Sequence, residues 1–138
     1  MAITGGCLCG QARFSIAAEA PLAVRQCWCR VCQYFGAGNA TVNALFSAEA
    51  VTTTGELTDF VSNADSGSVM HRRFCPNCGT PVFTASEARP HLLIVRAGAL
   101  DDPELAAPQG TIWTKSAPRW ACHDPNLPQT EGQPTAKG

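Results

Sequence analysis

A mainly β domain with little helix is the fold class this sequence predicts, and three observations carry it. Short β-favouring runs recur between Gly, Pro, Asn and Asp punctuation. No window of about a dozen residues sustains the 3.6-residue apolar period of an amphipathic helix. Seven of the eight cysteines fall into three clusters spaced for metal chelation, and a structural metal would add usefully to the stability of a chain of only 138 residues.

The first expected strand covers 11–17, where Ala12, Phe14 and Ile16 alternate with polar positions. Further strands are expected at 22–26, 40–46, 57–62, 68–74, 80–85 and 91–97, each rich in Val, Leu, Ile, Phe or Thr and bounded by turn residues. Past Pro118 the chain is Pro-rich (Pro125, Pro128, Pro134), and after Leu127 it is polar and aperiodic. One domain over 1–128, followed by a flexible C-terminal tail over 129–138, is the expected organisation.

The start, Met1 to Gly6, has neither a basic segment nor an apolar run, so no secretory signal is expected. No stretch approaches the ~20 apolar residues of a membrane span. A reducing, cytoplasmic setting follows, in which clustered cysteines are thiols and not disulfides. The formal charge is −1, falling to about −4 once seven thiolates and two Zn²⁺ are counted. With 8 Arg, only 2 Lys and no basic run longer than Arg72-Arg73, the chain lacks the footprint of a nucleic-acid binder.

The clusters are Cys7-Leu8-Cys9, Cys27-Trp28-Cys29-Arg30-Val31-Cys32 and Cys75-Pro76-Asn77-Cys78, with Cys122 alone. Thiolates one or two residues apart can share an ion when a turn brings their sulfurs to ~3.8 Å, the edge of a tetrahedron with ~2.3 Å zinc–sulfur bonds. A strictly extended CxC would aim its side chains at opposite faces, and Gly5, Gly6, Gly10 and Gly79 supply the flexibility a turn needs.

Four thiolates make a closed structural site, whereas three leave a position for water or substrate. The seven divide accordingly: Cys7, Cys9, Cys75 and Cys78 as one Cys₄ site, Cys27, Cys29 and Cys32 as an open one. Pairing Cys29/Cys32 with Cys75/Cys78 as one zinc ribbon is the alternative, and it would orphan Cys7, Cys9 and Cys27. Iron–sulfur spacings do not match.

Five segments in this order resemble a known family: Gly5 to Phe14 (GGCLCGQARF), the CxCxxC at 27–32, Phe74 to Thr80 (FCPNCGT), Gly98 to Asp101 (GALD) and Ala117 to Trp120 (APRW). Together they resemble the glutathione-dependent formaldehyde-activating enzymes, the GFA or CENP-V/GFA domain, from about Gly5 to Pro128. The resemblance implies an Mss4-like fold of zinc-stabilised antiparallel β-sheets, with a structural zinc on Cys7, Cys9, Cys75 and Cys78 and a catalytic one on Cys27, Cys29 and Cys32. It also implies a carbon–sulfur lyase that condenses glutathione with formaldehyde to S-(hydroxymethyl)glutathione. Two positions depart from the family pattern: Trp28 stands where His is common in the middle cluster, and Thr111 precedes Ile112 where the family often has His.

In this reading the partners are a small-molecule thiol and a small aldehyde, with neither nucleic acid nor membrane, and no motif speaks to oligomeric state. Glutathione carries two carboxylates, so its cleft should offer Arg, and Arg25, Arg30 and Arg72 beside the clusters are the candidates. His71, His91 and His123 are each read as ordinary surface or strand histidines rather than ligands. Trp113 and Trp120 are read as packing residues, Trp28 as packing or pocket lining, and Cys122 as a small hydrophobe. The competing reading is a non-catalytic, zinc-stabilised module that binds a protein partner.

Overall fold

A computed structural model describes residues 2–134. The strands are β1 (Ile3–Gly6), β2 (Arg13–Ile16), β3 (Ala23–Cys27), β4 (Thr41–Ser47), β5 (Val51–Thr54), β6 (Thr58–Asn63), β7 (Val69–Phe74), β8 (Pro81–Ser86), β9 (Leu92–Arg96) and β10 (Thr111–Ile112). The one α-helix among the described residues, α1, spans Arg30–Phe35. None of the described helices is long and apolar enough to cross a membrane.

Two sheets share the core. The smaller has the order β1-β2-β5, and the larger β10-β3-β4-β9-β8-β7-β6, antiparallel throughout except where β10 joins β3. The smaller sheet contributes Ile3, Phe14 and Ile16, and the larger Ala44, Phe46, Phe83, Leu93 and Val95, all buried in one cluster. Phe14 meets Phe83 across the layers with ring centroids 5.1 Å apart. The approach is close enough to require glycine at position 5, where a Cβ would fall 2.2 Å from the Ala99 carbonyl oxygen.

Strand β4 is buried on both faces. Val42, Ala44 and Phe46 face the shared core, while Thr41, Asn43 and Leu45 face the opposite way. That second face of the larger sheet carries the site described below.

The seven expected strands coincide with β2, β3, β4, β6, β7, β8 and β9. Unforeseen were β1 and β10, four and two residues long, the exposed β5, and α1. At six residues α1 is too short to display a helical period; Cys29 caps it, its Sγ accepting from the Cys32 amide at 3.3 Å.

Residues 129–134, expected to belong to a flexible tail, run beside β10. Thr130 N–H donates to the Thr111 carbonyl at 2.9 Å, and Trp113 N–H to the Gly132 carbonyl at 3.3 Å. A polar, aperiodic segment is thus held along β10 by main-chain bonds, which composition does not reveal. The remainder of that expected tail, 135–138, lies outside the described residues.

Candidate metal and active site

Folding gathers the seven clustered sulfurs into two groups, and all eight cysteines are free thiols. The Cys7-Leu8-Cys9 turn joins β1 to β2, and the Cys75-Pro76-Asn77-Cys78 turn joins β7 to β8. The second turn closes through Gly79 N–H to the Cys75 carbonyl at 2.9 Å, with Gly79 at φ +77° where a side chain would be strained. The sulfurs of Cys7, Cys9, Cys75 and Cys78 lie within 4.8 Å of one another, with Cys7–Cys9 at 3.6 Å and Cys9–Cys75 at 3.7 Å. These separations match the edge of a zinc–thiolate tetrahedron, ~3.8 Å. The group ties the smaller sheet to the larger one.

The surroundings favour thiolates at Cys7 and Cys78. The Ala12 amide donates to Cys7 Sγ at 3.3 Å and is the main influence lowering that thiol's pKa. Cys78 is pushed down to about 5, chiefly by the Thr80 hydroxyl, 3.2 Å from its sulfur. The Asn77 and Cys78 amides point at Cys75 Sγ. Four soft donors gathered around one point, three of them supported by amides, fit a closed structural ion.

The second group stands where β3 passes into α1. Cys27 ends β3, Cys29 caps α1 and Cys32 lies in its first turn, and their sulfurs too lie within 4.8 Å of one another. Trp28, between the first two, projects away: it is 1% exposed, edge-on to Trp120 (centroids 6.3 Å apart) and to His123 (5.8 Å). It packs and does not line the cavity described next. Cys32 is pushed down to about 2, first by the Cys27 and Cys29 thiols, then by the Thr41 hydroxyl and the charge of Arg96. Cys27 moves the opposite way because it shares protons with those neighbours and is buried. Three thiols that cannot ionise together without a cation between them are a set that could hold a metal ion. The zinc-ribbon alternative is not realised, since Cys29 and Cys32 group with Cys27 and not with Cys75 and Cys78.

Cys27 and Cys32 form one end of a cavity of about 480 Å³ over the second face of the larger sheet. Pairing across strands sets its floor. Arg25, Asn43 and Arg96 make one row across β3, β4 and β9, and Leu45, Ile94 and Thr84 make the next across β4, β9 and β8. Arg96 is buried, donates to Asn43 Oδ1 at 2.7 Å, stacks over Phe35 at 5.7 Å, and leaves its Nε without a partner.

Of the three arginines expected to hold glutathione, only Arg25 lines this cavity. Arg30 is exposed, donating to Gln33 Oε1 at 2.5 Å and lying over Tyr34 at 5.3 Å. Arg72 is buried, also close to the Phe35 ring and bonded to the Ser62 hydroxyl, its pKa lowered by desolvation and by Arg96. The cavity instead recruits Arg96 and Arg89, which are remote in sequence from any cysteine. The alternation of β9 could have flagged Arg96, since it shares a face with Leu92 and Ile94. His71 bridges two carboxylates elsewhere, and Thr111, fully buried in β10, is no proton carrier toward the cavity.

Fold and site together define a mainly β protein with one four-cysteine and one three-cysteine centre. The family model described as glutathione-dependent formaldehyde-activating enzyme matches residues 2–116, and the chain belongs to that family. A Halomonas elongata protein, provisionally named a glutathione-dependent formaldehyde-activating enzyme, is 23% identical over 125 residues, covering 87% of this chain and 80% of its own length. A crystal structure of a Rhodobacter sphaeroides protein superposes with a TM-score of 0.56 at 19% identity, over 71% of this chain and 87% of that one. That likeness concerns the fold alone.

Proposed function

We propose that this protein is a zinc-dependent carbon–sulfur lyase that condenses glutathione with formaldehyde or a similar small aldehyde in the cytoplasm, in the manner of an S-(hydroxymethyl)glutathione synthase. One observation carries the reading: a three-cysteine cluster opens onto a cavity that also presents buried, underused arginine. A protein-docking module needs neither feature.

Zinc held by Cys27, Cys29 and Cys32 would supply positive charge that favours the thiolate form of an incoming thiol. The second ion, on Cys7, Cys9, Cys75 and Cys78, has the role of clamping the sheets. Arg25 and Arg96, one strand-pair step from Cys27, offer charge-assisted bonds to the glutathione carboxylates and orient the sulfur toward the cluster. The sulfur lone pair forms the new C–S bond, the carbonyl π pair moves onto oxygen, and that oxygen takes up a proton as the thiol gives one up. The net reaction is an addition, with no change in oxidation state and no loss of atoms, and its reverse cleaves the C–S bond.

Two-dimensional exchange NMR on zinc-loaded protein with formaldehyde and glutathione tests this directly. Adduct exchange should be faster than in buffer, and Cys29→Ser should abolish the acceleration. Exchange no faster than buffer, with the metal bound at both sites, would refute the enzyme reading.

A further inference from the structure

Behind the three-cysteine cluster, a chain of hydrogen bonds between buried side chains runs from Arg96 through Asn43 to Thr41. Arg96 Nη1 donates to Asn43 Oδ1 at 2.7 Å, and Asn43 Nδ2 donates to Thr41 Oγ1 at 3.1 Å. Chemistry fixes the direction of this chain. A guanidinium can only donate, so the Asn43 oxygen must face it, and the amide nitrogen, also a donor only, is left to face Thr41. The Thr41 hydroxyl is therefore an acceptor on that side, and its single proton is free to point elsewhere. Strand register puts it at the cluster: Thr41 stands opposite Cys27 across β3 and β4, and the Cys27 and Cys32 sulfurs lie within 4.8 Å of each other. The Thr41 side chain hydrogen-bonds that of Cys32.

We propose that Thr41 is a positioning residue of the three-cysteine centre, its hydroxyl donating to Cys32 Sγ and holding that sulfur toward the point it shares with Cys27 and Cys29. This rests on reading the cluster as a metal seat. Thr41 is not among the residues that wall the cavity, so it acts through Cys32 and not on substrate. Cys7, Cys29 and Cys75 each accept from a main-chain amide. Cys32 has no such amide bond among the described residues, and the hydroxyl takes that part. A hydrogen bond to a ligating atom fixes its orientation and tunes the charge it gives the ion. Asn43 and Arg96 keep the hydroxyl turned the right way, so the arginine offered to the thiol substrate and the sulfur offered to the ion belong to one network.

The test loads the full-length protein with Co²⁺, whose thiolate-to-metal charge-transfer band reports the electron density on the sulfurs. Thr41→Val keeps the side chain's shape and removes the hydroxyl. The band should move to longer wavelength, and one of the two metals should be lost to a competing chelator roughly ten- to a hundredfold more readily. Thr41→Ser should restore both. Asn43→Asp is the second variant should the first fold poorly: a carboxylate accepts from Arg96 and from Thr41 alike, turns the hydroxyl away from Cys32, and should move the band the same way. Thr84→Val, which removes a buried, unpartnered hydroxyl from the same sheet, should leave the band in place. A band unmoved by Thr41→Val, or moved as far by Thr84→Val, overturns the proposal. Adduct exchange with formaldehyde and glutathione judges the enzyme reading separately: acceleration by the natural protein with an unmoved band removes only the role of Thr41, and a moved band without acceleration removes only the enzyme.

Discussion

Arg96 and Asn43 stand opposite each other across β9 and β4, and the guanidinium donates to Asn43 Oδ1 at 2.7 Å while its Nε stays unpaired in a buried position. A buried guanidinium held by one neutral amide has donors to spare for an anion. Charge-assisted hydrogen bonds contribute about 1.5–3 kcal/mol. Arg96→Met should therefore raise the KM for glutathione about ten- to a hundredfold in steady-state assays. Arg30→Ala, outside the cavity, should leave KM within about twofold; equal effects of both would show that the cavity does not bind the thiol.

The two cysteine groups should respond differently to loss of one sulfur. Cys75 is fully buried between the sheets, and Cys75→Ser would leave three donors around a point that ties β1 and β2 to β7 and β8. Metal content should fall from two per chain to one, with a drop in melting temperature of several degrees, because binding free energy at a structural site is folding free energy. Cys29→Ser should also remove one metal, but with a smaller shift in melting temperature, since α1 is short and at the surface of the larger sheet. Elemental analysis with thermal melts reads both.

Much of this was legible in the sequence because its signals are local. The CxC and CxxC spacings let one local turn bring neighbouring sulfurs together, and the alternation of Ala12, Phe14 and Ile16 announces a half-buried strand. Which clusters meet was less local. Cys9 and Cys75 are 66 residues apart, and only the docking of two sheets brings their sulfurs to 3.7 Å. The arginines show the limit most plainly: nearness in sequence suggested Arg30 and Arg72, whereas strand register delivers Arg96 to the cavity from a stretch with no cysteine. Helix α1 and β10 escaped because elements of six and two residues carry too few positions to show a period.

His71 provides a pH-dependent contribution away from the site. Its Nδ1 meets Asp59 at 2.7 Å and its Nε2 meets Glu87 at 2.8 Å, and these carboxylates, Asp59 first, raise its pKa above the ordinary 6.5. A group with a raised folded pKa stabilises the fold fully below its unfolded value, and that contribution fades as pH climbs through the folded value. The stability difference between the natural protein and His71→Ala should therefore be largest below pH 6.5 and shrink at higher pH. Urea unfolding across this range measures it, and a difference that grows with pH would exclude the ion-pair account.

The C-terminal segment that runs beside β10 also walls the cavity, for Gln133 and Pro134 line it. It is latched by Trp113, whose indole N–H donates to Gln133 Oε1 at 2.9 Å and whose ring is buried against Cys27 and Cys29. Trp113 holds a left-handed backbone, φ +58°, which a bulky residue adopts only when its surroundings fix it. Gln133→Ala would remove the acceptor and leave the indole donor unpaired, a loss of about 1 kcal/mol or some fivefold in local opening. Hydrogen exchange at the Thr130 and Trp113 amides, both bonded across this seam, should quicken by about that factor, while the Ala44 amide in the core keeps its rate. If the seam and the core respond alike, the variant loosens the whole fold; if neither responds, the main-chain bonds alone hold the wall and the latch is dispensable.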